Sequence, residues 1–470
     1  MIKLFFSNAA VYFLSTILSR GISLLMMPLY TSVLSPAEYG ILDYLSIIGS
    51  FVLVVVALEI SQAAARFVSE YRADSQLRKY YFSSAFLFSI FCNLLFVICC
   101  LFFSDAIVVF FFDDLSFLDV FFVAVFGYSA TSIFRLVSNH LRFTLKVQLE
   151  AVLNIIYSLV VVLLSYFLMY KAGMGVLGGV VSLLVGSFFG IVIGLFFVRE
   201  DLCFCKKYIF EMISFSWPFV FSSLGVVLSG LIDRLFVKEM LGYEDLGIYG
   251  VAFRIASIAS VLIFVFHKAL SPLIYSNYKE IDFGENLNSI FRYFSAFFIC
   301  VFIVLSVNSD FFVKILTNEQ YNAASDVIPF LVLSFVFSGM YFFAPGMGIK
   351  KKTKLLALIN ILGVFFNTGL NFFMVPLYGA IGAAIATAVS SFFVFCILFL
   401  SSQKLFFIPY EWLRVLLCVF FVAVSVFLFY LHGDFSIVYK LIVMFVSISF
   451  IFVFGVFRVL DFKVGLKFFS

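Results

Sequence analysis

Charge is what this sequence has least of. Asp, Glu, Lys and Arg make up 12% of its 470 residues, about half the share usual in a soluble domain. So few charges cannot coat soluble globules of this total length, which excludes a string of water-soluble domains. Disorder is excluded too, because it needs the opposite composition. The net charge of +4 is too small to imply nucleic acid. Cysteine pairing is also missing. The eight Cys form no C-x-x-C pair, so neither a zinc ribbon nor a disulfide framework is suggested. The three His, at 140, 267 and 432, lie far apart, and no metal site is expected from them. There is no G-x-x-x-x-G-K-[ST] loop. Gly348-Ile349-Lys350-Lys351-Lys352-Thr353 lacks the spacing, which speaks against an ATP-driven pump. No cofactor is expected.

What is present is apolar length. Hydrophobic residues make up 64% of the chain, and Phe alone contributes 71. A helix needs about 20 residues to cross the hydrocarbon. Fourteen candidate spans can be placed, at 9–34, 41–65, 81–103, 117–140, 151–170, 175–198, 212–237, 248–276, 290–309, 325–349, 355–375, 377–401, 412–431 and 436–457. The fold class expected is an all-α polytopic membrane protein. The first apolar stretch continues past Arg20 to Leu34, too long for a signal-peptide core, and reads as a retained span. The loops leave no room for a soluble catalytic domain, and an enzyme is not expected.

The loop charges orient these spans. With the N-terminus in the cytoplasm, inner segments hold 23 basic residues, with Arg135, Arg142 and Lys146 counted among them. Outer segments hold four, Lys171, Lys238, Lys314 and Lys440. That asymmetry follows the positive-inside rule and puts both termini in the cytoplasm.

The chain also repeats itself. Leu34–Ile41 resembles Leu241–Ile248 at an offset of 207, Ala151–Ile155 resembles Ala357–Ile361 at 206, and Gly175–Gly179 resembles Gly379–Ala383 at 204. The unit is six spans, and an even number gives both copies one orientation. The expected organisation is an N-lobe at 1–199 with spans 1–6, a C-lobe at 200–403 with spans 7–12, and 404–470 with spans 13–14 and a cytoplasmic tail. Two such lobes describe a carrier that rocks around a central cavity.

Charges inside the spans should carry its function. Arg20 lies about 18 Å from either end of span 1 at 1.5 Å per residue, too deep to snorkel, and calls for an aqueous cavity or a buried acid. Glu59 is one such acid. Arg234 stands at a position two turns out of step with Arg20 in the repeat, on the same helix face. Asp233 either neutralises it or shares the cavity. Arg254 is either cavity-facing or snorkelling. Arginine forks suit phosphate oxygens, so these three form a candidate anion site. Glu59, Asp43 and Asp233 are candidate ion-coupling groups or charge partners. His267 and Lys268 either receive an anionic headgroup at the inner mouth or belong to the ordinary inner basic cluster. Gly186, Gly190 and Gly194 form a small-residue stripe for close helix packing.

Leu18-Ser19-Arg20-Gly21, Pro28-Leu29-Tyr30, Leu34-Ser35-Pro36-Ala37-Glu38-Tyr39-Gly40, Leu246–Ala252 and Pro376–Ala384 resemble the polysaccharide transporter branch of the multidrug/oligosaccharidyl-lipid/polysaccharide exporter superfamily, and among its members the Wzx-type O-antigen flippases. The resemblance implies transfer of undecaprenyl-diphosphate-linked oligosaccharide from the cytoplasmic to the periplasmic leaflet of a bacterial inner membrane. It implies alternating access, with cationic cavity residues engaging the diphosphate. The bilayer, and polysaccharide polymerase and chain-length proteins, are the partners expected. Alternatives within the superfamily are a lipid II flippase and a drug or cation antiporter. A polymerase-type membrane enzyme is disfavoured, since the longest outer segment is 104–116.

Overall fold

The computed structural model describes residues 24, 26–71, 73–350, 352–432 and 436–457. Among them the chain is helical, without a strand. The elements in order are α1 (Met27–Val33), α2 (Pro36–Val55), α3 (Ile60–Glu70), α4 (Ser75–Phe102), α5 (Ser104–Phe112), α6 (Leu118–Phe143), α7 (Val147–Ser165), α8 (Gly175–Val198) and α9 (Ile209–Leu241). They continue as α10 (Tyr243–Asn277), α11 (Phe283–Val307), α12 (Ser309–Leu316), α13 (Ala324–Gly339), α14 (Gly346–Ile349), α15 (Thr353–Leu405), α16 (Trp412–His432) and α17 (Ile437–Val453).

Eleven helices among the described residues are long and apolar enough to cross a bilayer, and Ile437–Val453 is a shorter apolar one. The longest, Lys354–Leu405, supplies two spans, because Gly379 bends it with φ 60° and ψ −142°. Only a residue without Cβ adopts that backbone readily. The first expected span falls largely outside the described residues, and fourteen spans is compatible with what is seen. The expected span 41–65 is not continuous. It breaks at Val56–Glu59, where Leu58 and Glu59 both take left-handed backbone, φ 49° and 51°. Neither is glycine, so each costs about 1–2 kcal/mol.

Local chemistry accounts for the helix starts. At α2, Ser35 Oγ accepts from the Glu38 amide at 3.3 Å and the Ser35 amide donates to Glu38 Oε2 at 2.9 Å, a reciprocal capping box with Pro36 in the first turn. At α4, Asp74 Oδ1 accepts from the Gln76 and Leu77 amides, both at 3.0 Å.

The repeat is visible in the element order. α2 and α10 begin at Pro36 and Tyr243, and α7 and α15 at Val147 and Thr353. Two short helices, Ser104–Phe112 and Ser309–Leu316, each precede a 3₁₀ turn and a long helix. Gly175 and Gly379, matched in sequence, both have positive φ.

The chain forms two compact units, Met1–Arg234 and Leu235–Ser470. In the first, α6 packs on α8, and α3 and α4 close over them. Gly186, Gly190 and Gly194 are buried where a methyl would collide with Val161, Phe134 and Val137, so the expected stripe is the surface on which α8 meets α6 and α7. A shared apolar core joins Ala57, Ile60, Ala63 and Phe67 to Phe134, Leu136, Val137 and Leu141. In the second unit, α13 packs between α10 and α15, while α16 and α17 pair with each other and with α11. Ion pairs hold this last pair of helices: Arg292 with Glu411 at 3.4 Å, and Lys440 with Asp310 at 2.5 Å.

Candidate functional site

Polar residues recur along one face of α6. Tyr128, Thr131, Arg135, Asn139 and Arg142 are spaced three or four apart, the interval that stacks side chains on one face of a helix. Three neighbours answer that stripe. On α7, Glu150, Asn154 and Tyr157 share a face by the same rule. On α2, Asp43, Ser46 and Ser50 do so, and Ser187 stands on α8. Thr131 Oγ1 and Ser187 Oγ are 2.8 Å apart, and the Tyr157 hydroxyl faces both. Asn154 donates to Ser138 Oγ at 3.0 Å. Tyr128 faces Ser46 and lies within electrostatic reach of Asp43. Hydroxyls and amides thus line the interior of an apolar unit, where only paired or solvated polar groups are tolerated.

Arg135 is the odd member of this set. It stands eight residues before the end of α6, about 12 Å into the helix. Its flanking residues Phe134 and Leu136 are buried, yet Arg135 itself is exposed. Among the described residues it makes no hydrogen bond and no ion pair. Glu59 and Tyr157 lie within its electrostatic reach. A guanidinium facing acyl chains costs about 2.5–3.5 kcal/mol on insertion scales, which favours a polar surrounding for this one. Sequence reasoning placed Arg135 within the expected span 117–140 but counted it among the inner basic charges; the helix runs past it to Phe143. The α6 polar stripe was the signal that would have found it.

The residues singled out from sequence are placed as follows. Arg20 lies outside the described residues. Arg234 and Asp43 come together: Arg234 Nε donates to Asp43 Oδ2 at 2.6 Å, and Arg234 Nη1 donates to the Gly230 carbonyl at 3.1 Å. Both side chains are buried. Asp233, beside Arg234 on α9, is fully buried. Glu59 sits at the break between α2 and α3, with Gln62 Nε2 3.5 Å from its Oε2. Arg254 is half-buried in α10, eleven residues after its start at Tyr243. His267 stacks on Phe342 with ring centroids 4.0 Å apart. The Lys268 side chain lies outside the described residues. No group of three potential metal ligands occurs among the described residues.

A second charged cluster had no signal in the sequence. Asp201 is buried after α8 and accepts from Arg78 Nη2 at 2.8 Å through one oxygen, while its other oxygen lies 3.0 Å from His140 Nε2. His140 is stacked on Phe82 at 3.7 Å. Next to it, Ser83 Oγ accepts from the Cys203 amide at 2.8 Å, and Tyr81 donates to Glu211 at 3.1 Å. These bonds fasten residues 201–211 to α4.

A family model described as "Polysaccharide biosynthesis protein" matches residues 5–278. A second, described as MatE, matches residues 218–373. Two curated proteins are similar. The Shigella flexneri protein that bears the name "Putative O-antigen transporter" is 25% identical over 236 residues, 48% of this chain and 55% of that one. The "Uncharacterized membrane protein MJ1068" of Methanocaldococcus jannaschii is 26% identical over 244 residues, 49% of this chain and 47% of that one. The chain thus spans about half the length of the curated relatives it matches. Among solved structures, the lipid II flippase MurJ in an inward closed conformation aligns over 96% of this chain and 98% of its own at 20% identity, with a TM-score of 0.72. An inward-facing multidrug resistance MATE family transporter aligns over 83% and 93% at 14% identity, with a TM-score of 0.65. These likenesses are of fold.

Proposed function

Because the chain belongs to the polysaccharide biosynthesis protein family, within the multidrug/oligosaccharidyl-lipid/polysaccharide exporter superfamily, we propose that it is a flippase for lipid-linked oligosaccharide. The cargo is an undecaprenyl-diphosphate-linked repeat unit of O-antigen or a similar surface polysaccharide. It moves from the cytoplasmic to the periplasmic leaflet of a bacterial inner membrane, by alternating access of the repeats 1–199 and 200–403, with both termini in the cytoplasm. Polymerase and chain-length proteins are its downstream partners.

The observation that carries this reading is Arg135, an exposed guanidinium without a bonded partner among the described residues, two turns inside an apolar helix. Such a fork attracts phosphate oxygens and repels the organic cations a drug antiporter would take. The hydroxyls and amides of Tyr128, Thr131, Asn154 and Tyr157 around it suit sugar hydroxyls. Arg20 and Arg254 are each proposed as further cationic contacts for the diphosphate; Arg234, also proposed from sequence, is committed to buried Asp43. Asp43, Glu59 and Asp233 serve as their charge partners or as ion-coupling groups, and His267 and Lys268 form the inner mouth.

The test is surface polysaccharide in a bacterium whose own copy is deleted. Arg135→Ala and Arg20→Ala are expected to abolish it, and the Arg→Lys versions to retain part, since lysine keeps the charge and loses the fork. Normal polysaccharide from Arg135→Ala at wild-type protein levels overturns the reading. Rescue of a peptidoglycan-precursor defect in place of the polysaccharide defect transfers the cargo to lipid II.

A further inference from the structure

A carrier for an anionic headgroup must also return empty. With the headgroup gone, a guanidinium deep in an apolar helix is left without its counter-charge, and returning it through the low-dielectric bilayer is unfavourable unless another group supplies that charge. This protein holds an acid where it is needed. Ala57 and Ile60 bracket the pair Leu58–Glu59, Phe134 and Leu136 flank Arg135, and all four bracketing residues belong to one buried core. α3, which begins right after Glu59, packs on α6. Between the two charges there is no ion pair, although the carboxylate is within electrostatic reach of the guanidinium. The backbone that puts Glu59 there is unusual. Leu58 and Glu59 are consecutive left-handed residues, and neither is glycine. Strain of this kind persists where packing around it over-determines the conformation, and it gathers at binding and switching sites.

We propose that Glu59 is a built-in competitor for the anion site at Arg135, balancing the guanidinium when the site is empty and yielding to the diphosphate when cargo arrives. This rests on the proposed function, and it adds a consequence that the function alone does not have: removing the acid should tighten binding rather than weaken it. No bond joins the two groups among the described residues, so none needs to be broken before cargo takes the guanidinium. The ligand chemistry is a pyrophosphate ester or free pyrophosphate, and the experiment separates the two.

The full-length protein is purified in detergent and titrated calorimetrically with inorganic pyrophosphate and, separately, with farnesyl diphosphate. Glu59→Gln removes the charge while leaving the residue as ill suited to left-handed backbone as before, so it isolates electrostatics. It is expected to bind pyrophosphate about three- to tenfold more tightly than wild type, as one neighbouring charge at moderate dielectric would produce. Glu59→Asp keeps the charge and is expected to bind as wild type does, a check independent of any folding defect in the glutamine variant. In Arg135→Ala, binding should fall at least about tenfold, and adding Glu59→Gln to that variant should restore nothing. Tightening lost in the double variant supports the inference. If Arg135→Ala weakens binding and Glu59→Gln leaves it unchanged or weaker, the competitor role is overturned while the anion site stands. If Arg135→Ala binds both ligands as wild type does, the anion site itself fails, and the competitor with it. An effect of Glu59→Gln on both ligands assigns the site to the headgroup alone; an effect on farnesyl diphosphate only assigns it to the lipid-linked form.

Discussion

Arg234 and Asp43, 191 positions apart in the sequence, are joined by a 2.6 Å bond between Nε and Oδ2 with 3% and 8% of their side chains exposed. This is a desolvated ion pair between α9 and α2. Breaking a buried pair by removing one partner leaves a charge stranded, at about 3–5 kcal/mol, whereas replacing both with apolar groups is often near neutral. Arg234→Met alone and Asp43→Leu alone are therefore expected to lower the Tm of the purified protein sharply, and the double variant to recover most of the loss. Thermal unfolding followed by intrinsic fluorescence measures this. A double variant as unstable as the two single losses added together shows that the pair is not the interaction that matters.

The Arg78–Asp201–His140 cluster makes a different kind of claim, about a connecting segment. Asp201 takes charge-assisted bonds from two helices and sits one residue from Leu202 and two from Cys203, whose amide is held by Ser83. Losing hydrogen bonds to a charged group costs about 1.5–3 kcal/mol each, and a surface segment with that much less support opens more often. In a Cys205→Ser background, Asp201→Asn should speed maleimide labelling of Cys203 at least about tenfold, with Arg78→Gln giving a smaller increase. An unchanged labelling rate would mean that the bond from the Cys203 amide to Ser83 Oγ alone secures the segment.

Apolar spans and the two-fold repeat were readable from the sequence because they depend on sums over many residues. Twenty apolar positions survive the misreading of one, and helix starts at Pro36 and Tyr243 fall where the repeat offset places them. Single-residue features were harder. The break at Leu58–Glu59 carries no glycine or proline, so nothing local announces it, and it sits where α3 packs on α6. Arg135 was hidden by the charge count: it lies inside the expected span 117–140, yet it was tallied with the inner basic residues, and a rule that rewards inner positive charge absorbs it without complaint. Asp43 as the partner of Arg234, and Asp201 as the partner of Arg78 and His140, are long-range pairings that one sequence cannot specify, since an acid's nearest base is set by tertiary packing.

The stripe at Gly186, Gly190 and Gly194 gives a sharper test of packing than any change in hydrophobicity. A Cβ at Gly190 would meet the ring of Phe134, and overpacking of this kind costs about 1–3 kcal/mol. Gly190→Ala should reduce the yield of folded protein in detergent, judged by size-exclusion profile, and Phe134→Leu in the same chain should restore part of it by vacating the ring's space. Gly369, where a methyl meets nothing within reach, is the control position, and Gly369→Ala should leave the profile unchanged.

The motif Leu34–Gly40 is one of those that carry the family resemblance, and its chemistry is that of a helix start rather than of a cargo contact. Ser35 and Glu38 exchange bonds as a capping box, Pro36 occupies the first turn, Tyr39 is buried, and Glu38 Oε1 lies 3.6 Å from where a Cβ on Gly175 would stand. The motif thus fixes where α2 begins and seats it against the corner before α8. Ser35→Ala is expected to cost about 1 kcal/mol, the usual loss on removing a cap, and Ser35→Asp to keep most of the stability because aspartate also caps. Pyrophosphate affinity should be unchanged in both. A Ser35→Ala protein that keeps its wild-type Tm and loses pyrophosphate binding would move the motif from scaffold to binding site.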